Sequence, residues 1–199
     1  MSNARRTPQQ ERGERRLAQL LESAASVMAE AGYDAATMTA IAERADASIG
    51  ALYQYFPNKE AIVRALRQQY VREIQALWLP LTAEASKLSI RQLVDRIIDM
   101  FVDYVERRPA YFQVLSAPGD YKRDPVARNR LREHFAALFR ERCPEMSREA
   151  AFRVANVTVQ VLKGMNPLYA EAKGAEKEEI VREFKQVLVS YLGSRLKAD

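Results

Sequence analysis

The chain has little of the chemistry that most enzymes and secreted proteins need. Among its 199 residues there is one cysteine and one histidine, which excludes an intramolecular disulfide and leaves no histidine pair to share a metal ion. No apolar run reaches the roughly 18 residues of a membrane span. The first residues lack the apolar core of a secretory signal, and we find no Gly-rich phosphate loop. We therefore expect a cytoplasmic protein with no cofactor, no metal and no membrane partner.

The residues that could carry catalysis are isolated from one another. The single histidine, His134, and the single cysteine, Cys143, have no plausible general base beside them in the sequence. Asp95, Asp99 and Asp103 form an i, i+4 row, but neighbouring arginines favour a solvated, ion-paired face over a cation site. We expect no enzymatic activity. An all-helical enzyme is the minor alternative, and a buried polar cluster around His134 would support it.

Basic residues outnumber acidic ones, with a formal net charge of +5 and a sequence pI near 9.4. This balance permits a polyanionic partner without proving one. Residues 1–14 are rich in arginine and have no apolar period, so they predict a flexible basic arm. The arm could contact DNA or could serve only as a solubilising tail.

The rest of the sequence has helical periodicity and no alternating strand pattern. Gly32, Pro57 and Pro109 are helix-ending signals, and Ser48 and Asn58 are helix-capping signals. The all-α chain is predicted to contain about nine helices, at residues 15–31, 40–45, 48–55, 59–78, 89–108, 109–116, 125–143, 147–173 and 175–196.

Two of these helices are short and lie on either side of a tight break at Asp46. The spacing places Ile41 and Ala42 of the first against Leu52 of the second, as two helices crossing at a steep angle require. Residues 15–57 therefore predict a three-helix DNA-binding domain with a helix-turn-helix, whose second helix enters the major groove. Residues 58–199 predict a helical domain for effector binding and dimerisation.

Residues 32–66 resemble the DNA-binding segment of the tetracycline-repressor (TetR) family. The shared features are Gly-Tyr after the first helix, Thr-x-x-x-Ile-Ala, Leu-Tyr-x-Tyr-Phe, and Asn-Lys-Glu at the start of the fourth helix. Their joint spacing is specific, although it covers only about a quarter of the chain. Beyond it, the remaining residues match the family only in being helical and of suitable length.

The resemblance implies a set of DNA contacts. Gly50 would allow close approach to the DNA backbone, and phosphates would be contacted by Tyr53, Tyr55, Lys59, Thr37 and Thr39. Ile49 and Ala51 stand where the family often has polar residues, which leaves three polar candidates for base contacts: Ser48, Gln54 and Arg44. Taken singly, each residue could instead serve packing or solvation. Their joint spacing favours the DNA-binding interpretation. For Arg44, a DNA contact and a solvated surface position are equally favoured.

Two long helices near the C-terminus carry wide apolar stripes. Because one small domain cannot bury both, we expect a four-helix interface in a symmetric homodimer. The interface residues predicted from the stripes are Val154, Val161, Leu162, Phe184, Leu188 and Tyr191. An ordinary intramolecular core is the alternative.

Polar side chains interrupt the apolar helices beside several aromatic residues, as in many small-molecule sites. The candidate ligand residues are Trp78, Tyr104, Tyr111, Phe112, Phe135, Asn156 and Gln160. Aromatic residues at helical spacing are more often plain core. No charged residue stands out in an apolar run, so an apolar or aromatic effector is the default expectation.

Together these patterns predict a transcriptional repressor that is located at the bacterial nucleoid. Its homodimer would bind a double-stranded, pseudo-palindromic operator and would be released by a small molecule. The main alternative is a DNA-binding protein of the same fold without an effector, acting in chromosome organisation.

Overall fold

The structure, a computed structural model, describes residues 8–118 and 125–196. Within these residues it contains nine α-helices, one 3₁₀ turn (Ala85–Lys87) and no strand, which confirms the all-α prediction. The helices are α1 (Pro8–Ala35), α2 (Met38–Arg44), α3 (Ile49–Tyr55), α4 (Lys59–Glu84), α5 (Ile90–Arg107), α6 (Tyr111–Ser116), α7 (Pro125–Arg142), α8 (Arg148–Glu171) and α9 (Ala175–Arg195). None of the helices in that part of the chain is long and apolar enough to cross a membrane.

Part of the predicted basic arm is helical. Residues 1–7 lie outside the described residues, whereas residues 8–14 belong to α1, so the predicted arm boundary at residue 14 is corrected. This stretch has no apolar face, but it consists largely of strong helix formers, and Glu11 pairs with Arg15 at 3.9 Å. At the other end, Gly32 breaks the regular helix with a φ of +79°, which supports the predicted helix end.

The first compact unit consists of residues 8–70 and 108–118. It therefore contains α1 to α3, the first part of α4, and α6. The predicted domain boundary after Pro57 falls inside this unit. Its core is formed by side chains that are at most 1% exposed: Leu20, Ala24, Met28, Ile41, Leu52, Ile62 and Leu66.

The second compact unit consists of residues 71–107 and 125–196. Its core is formed by fully buried side chains from four helices: Leu93, Ile97 and Ile98 of α5, Phe135 and Phe139 of α7, Val159 and Met165 of α8, and Leu188 and Leu192 of α9. Lys185 of α9 joins α5 through ion pairs to Asp95 and Asp99 at 3.3 and 2.6 Å. Two of the three aspartates in the row, Asp95 and Asp99, are thus ion-paired, by a lysine of another helix.

Candidate nucleic-acid interface

The turn between α2 and α3 is held by side chains of α1. Asp46 has a φ of +46°, a left-handed conformation that Asp tolerates better than most residues. Arg16 donates to the carbonyl oxygens of Ala45 at 3.2 Å and of Asp46 at 2.9 Å. Gln19 donates to the same Ala45 oxygen at 3.1 Å. These contacts satisfy the carbonyls at the end of α2, and the sequence carried no local signal for them.

Helix α3 is capped as the sequence predicts and is anchored by one side chain. The Ser48 hydroxyl accepts a hydrogen bond from the Ala51 amide at 3.1 Å, which satisfies one of the free amides of the first turn. Leu52, on the inner side of α3, is fully buried in the first compact unit. The remaining face holds the predicted base- and phosphate-contacting residues, and it is open: Ile49 is 41% exposed, Tyr53 50% and Tyr55 39%, with Ser48, Gly50 and Gln54 also exposed and Ala51 half-buried.

Among residues 8–118 and 125–196, Gly50 has no packing role. A Cβ atom built at this position would meet no heavy atom within 4 Å. The alternative interpretation, in which Gly50 permits close helix packing, is therefore excluded for the single chain. A glycine that nothing in the protein requires, on the exposed face of a helix, fits close approach by an external surface.

The two threonines at the start of α2 are both exposed. Thr37 caps the helix, since its Oγ1 accepts from the Ala40 amide at 3.1 Å. A hydroxyl that accepts one hydrogen bond still has its own proton to donate. Both threonines therefore keep a donor that could reach a phosphate.

Lys59 begins α4, but its ammonium group is engaged within the protein. Nζ donates to the carbonyl oxygens of Tyr33 at 2.6 Å and Asp34 at 3.2 Å, and it lies 4.2 Å from the centroid of the Tyr33 ring. Two of its three donors are used in this way. Lys59 thus joins the start of α4 to the end of α1, and one donor is left for a phosphate.

Arg44 is held by α1. Its guanidinium donates to both carboxylate oxygens of Glu30, at 2.7 and 2.6 Å, and to the Ser26 hydroxyl at 2.6 Å. The hydrogen bond from Arg44 is the main cause that lowers the pKa of Glu30, against a smaller opposing effect of burial. To reach a base, Arg44 would have to leave this ion pair.

The candidate ligand residues do not form one cluster. Trp78, Tyr104 and Phe135 are buried in the second unit, whereas Tyr111 and Phe112 belong to the first. Gln160 is exposed, and Asn156 is exposed but accepts a hydrogen bond from Arg132 at 2.6 Å. Arg132 is only 6% exposed. Its burial could not be predicted from the sequence, because it lies in a run of charged residues that resembles a solvated face.

The predicted interface residues divide into two groups. Val154, Leu162 and Leu188 are at most 7% exposed within the single chain, so they pack mainly inside it, and their contact with a partner stays a prediction. Val161, Phe184 and Tyr191 are half-buried. Three apolar side chains on the same two helices are exposed: Val157 is 44% exposed, Leu168 50% and Val187 50%. Val157 and Val187 belong to the predicted apolar stripes, whereas Leu168 was not predicted.

The ring of His134 contacts the backbone of its own helix. The His134 Nδ1 lies 2.8 Å from the carbonyl oxygen of Arg130, one turn earlier in the same helix. Across residues 8–118 and 125–196, no three His, Cys, Asp or Glu side chains are grouped so that they could hold a metal ion.

Two family models match the chain over most of its length. Residues 20–66 match "Bacterial regulatory proteins, tetR family". Residues 89–192, which are more than half of the chain, match "Tetracyclin repressor-like, C-terminal domain". The two matches cover the helix-turn-helix and most of the second compact unit.

Individual proteins resemble the chain over different extents. The HTH-type transcriptional repressor KstR of Mycolicibacterium smegmatis is 41% identical over 54 residues, which are 27% of this chain and 26% of that protein. The chain therefore spans about a quarter of that relative's length. A TetR-family transcriptional regulator from Streptomyces coelicolor aligns over 90% of this chain and 99% of its own, with a TM-score of 0.66 and 23% identity. The flavonoid-responsive regulator FrrA aligns over 91% and 97%, with a TM-score of 0.52 and 24% identity. Because two tetracycline-repressor family models match the chain, one of them over more than half of its length, the chain belongs to the tetracycline-repressor family.

Proposed function

We propose that the protein is a transcriptional repressor that binds a pseudo-palindromic DNA operator as a homodimer and leaves it when a small molecule binds. The exposed face of α3 is the observation that carries this proposal. Ile49, Tyr53 and Tyr55 expose large side chains beside Gly50, where an added Cβ would meet no atom of the described residues within 4 Å. A helix-turn-helix presents such a face to the major groove, where its N-terminal residues read base edges. A regulator of this kind acts at the nucleoid.

The dimer is supported by α8 and α9. Val157 and Leu168 on α8 and Val187 on α9 are exposed, large and apolar. The helices also approach closely at Gly164, where an added Cβ would lie 3.9 Å from Phe184. Exposed apolar patches of this kind are typical of protein–protein contacts, and a two-fold axis would present two recognition helices to two half-sites.

Response to a small molecule is supported by helix α4 and by related regulators. α4 is one helix, whose residues up to Tyr70 belong to the first compact unit and whose later residues belong to the second. FrrA is described as flavonoid-responsive, and KstR as a repressor. An effector would release the operator only through its differential affinity for the bound and free states of the dimer. A chromosome-organising protein of the same fold would lack this response.

Two glycine substitutions test the DNA-binding face. A helical Gly50→Ala change should stabilise the free protein by about 0.5–1 kcal/mol, because alanine has the higher helix propensity and its Cβ meets nothing. The same Cβ should weaken binding to an operator selected from a randomised duplex library. Gly193 of α9 is the matched control, since a Cβ there also meets nothing within 4 Å. Gly193→Ala should give similar stabilisation and unchanged operator affinity.

The measurements are a urea unfolding curve and a fluorescence-anisotropy isotherm for each variant. If Gly50→Ala bound the selected operator as tightly as the original protein, α3 would not approach the DNA as proposed. Failure to select any common sequence from the library would overturn operator binding itself. Release of the operator by a ligand that stabilises the second unit against heat would support the repressor mechanism over the chromosome-organising alternative.

A further inference from the structure

The turn that precedes α3 depends on donors from another helix. Residues 45–47 separate the end of α2 from Ser48, which caps α3. Within the described residues, no backbone amide donates to the carbonyl oxygens of Ala45 and Asp46. Their donors are the side chains of Arg16 and Gln19 on α1. The geometry of this turn therefore depends on side chains outside α2 and α3.

The two donor side chains also bond to each other. The Arg16 Nη1 donates to the Gln19 Oε1 at 2.7 Å. Both side chains donate to the Ala45 oxygen, and Arg16 also donates to the Asp46 oxygen. Because they share an acceptor and are bonded to each other, each side chain restricts the orientation of the other. Arg16 and Gln19 are called the α1 clamp below.

Few other contacts hold the N-terminal end of α3. The helix has seven residues, which is too short to be stable alone, and Leu52 is its one buried side chain. Phe56, directly after the helix, is 5% exposed and anchors the other end. Asp46 has the left-handed φ of +46°, which costs free energy in a residue other than glycine. The direction in which α3 begins is therefore set by a strained turn and by the side chains bonded to it.

We infer that the α1 clamp positions the N-terminal end of α3 and thereby determines which operator sequence the protein prefers. The two side chains act through the backbone of the turn, not through contact with a base. Hydrogen bonds to base edges tolerate a displacement of only about half an ångström. A displaced α3 loses these contacts, whereas phosphate contacts, which carry no sequence information, still hold the duplex. This inference rests on the proposed operator binding and names two residues that set its specificity.

Gln19→Met tests the clamp without a change of charge. The variant removes the donor to Ala45 and the acceptor for Arg16, and it keeps an unbranched side chain. We expect about tenfold weaker binding to the operator selected by the original protein, as the loss of a base contact implies, and nearly unchanged binding to a scrambled duplex. The salt slope should stay the same, because no cation is lost. Each isotherm is measured at a temperature at which the variant is fully folded, so that a lower folded fraction cannot cause the effect.

Two arginine variants separate positioning from contact with DNA. Arg16→Met should reduce operator preference as Gln19→Met does. Arg15→Met is the control for the lost charge, because Arg15 is exposed and pairs with Glu11, not with the turn. It should leave the preference unchanged. If Arg16→Met weakened all sequences alike and lowered the salt slope by about one, Arg16 would be a phosphate contact and its positioning role would be overturned.

Amide hydrogen exchange measures the hold on α3 in the absence of DNA. The Leu52 amide donates to the Ser48 oxygen at 3.1 Å. In Gln19→Met this amide should exchange about tenfold faster, whereas the amide of Met28, in the core of α1, should be unchanged. A similar acceleration at both amides would indicate a general loss of stability and would overturn the positioning role. Unchanged exchange at Leu52 would show that the clamp does not hold α3.

Selection from a randomised duplex library by the original protein separates this inference from the proposed function. If the original protein selects an operator and Gln19→Met retains the full preference for it, the clamp is overturned and the proposed function stands. If the original protein selects no common sequence, operator binding fails, and the role of the clamp in base reading fails with it. If Arg16→Met does not fold, the charge-neutral Gln19→Met still decides the question.

Discussion

Arg67 donates a hydrogen bond from its Nε to the backbone carbonyl oxygen of Val114, 2.9 Å away. The same guanidinium reaches the carbonyl oxygens of Leu115, at 3.4 Å, and of Ala117. These oxygens lie at the C-terminal end of α6, where a helix has no internal donors left. A helix of six residues is too short to be stable alone. Arg67, which is 4% exposed, therefore helps to hold α6 in the first compact unit.

Replacing Arg67 by Met should lower the free energy of unfolding by roughly 3 kcal/mol, because the change leaves buried carbonyl oxygens without donors. Arg64→Met is the control. Arg64 lies three residues earlier on α4 and is exposed, so its replacement should change stability by no more than about 0.5 kcal/mol. Urea unfolding midpoints measure both effects. Equal midpoints for the two variants would show that the Arg67 contacts do not stabilise the unit.

The features that the sequence predicted correctly depend on residues close together in the chain. Ser48 and Asn58 cap α3 and α4 through amides three residues ahead, at 3.1 and 2.9 Å. Such caps, together with prolines and apolar periodicity, fix where helices begin and end. The exposed face of α3 follows from the same periodicity, with Leu52 as its buried side.

The features that could not be predicted depend on residues far apart in the chain. Arg16 reaches the turn 29 and 30 residues later, and the burial of Arg132 is set by helix packing that its own charged neighbours do not reveal. The interface residues show a related limit. Neighbouring residues such as Val187 and Leu188 differ by about 100° around the helix axis, and a wide apolar stripe does not indicate which of them faces inward.

A charge at Val187 should disrupt the proposed dimer. Val187 is 50% exposed in the single chain, so Val187→Glu should leave the monomer fold intact while burying a carboxylate at the interface, at a cost of several kcal/mol if unpaired. Gln186→Glu adds the same charge at the next exposed position and is expected to preserve the dimer. Light scattering at several dilutions measures the mass of each variant. A dimeric Val187→Glu protein would place the interface elsewhere.

The phenol of Tyr169 should make stability depend on alkaline pH. Burial, followed by the hydrogen bond to Glu106 at 2.8 Å, raises the pKa of Tyr169 to about 12. An unfolded tyrosine ionises near pH 10. The folded state therefore favours the protonated phenol. This contribution is fully present below about pH 10 and is lost between about pH 10 and 12.

For a shift of this size, the loss amounts to about 2–3 kcal/mol. Urea unfolding at a series of alkaline pH values measures it. The Tyr169→Phe variant should lack this part of the pH slope, and Glu106→Gln should reduce it, since only burial and the charge of Asp103 then raise the pKa. A slope that is identical in all three proteins would refute the assignment to Tyr169.

Lys59 should contribute to both stability and DNA binding. Lys59→Ala removes the hydrogen bonds to the carbonyl oxygens of Tyr33 and Asp34, so thermal stability should fall even without DNA. Loss of a phosphate contact should weaken all DNA sequences alike and reduce the salt slope by about one. Lys87→Ala, at an exposed lysine, should change neither property. If stability falls and the salt slope does not, Lys59 has only a structural role.

Gln54 should carry much of the base discrimination, because few other polar side chains remain on α3. It is exposed on the same helix as Gly50, and its amide matches the hydrogen-bonding edge of adenine, while the Ile49 side chain suits the thymine methyl group. The half-site should therefore favour A·T pairs.

Gln54→Ala should cost about 1–3 kcal/mol on the preferred operator and little on altered ones. Isotherms on a randomised operator library, at two salt concentrations, compare it with Lys59→Ala. Both changes remove one polar group, but only the first should change base preference. A uniform loss for Gln54→Ala would move discrimination to Arg44, released from Glu30, or to residues before α1.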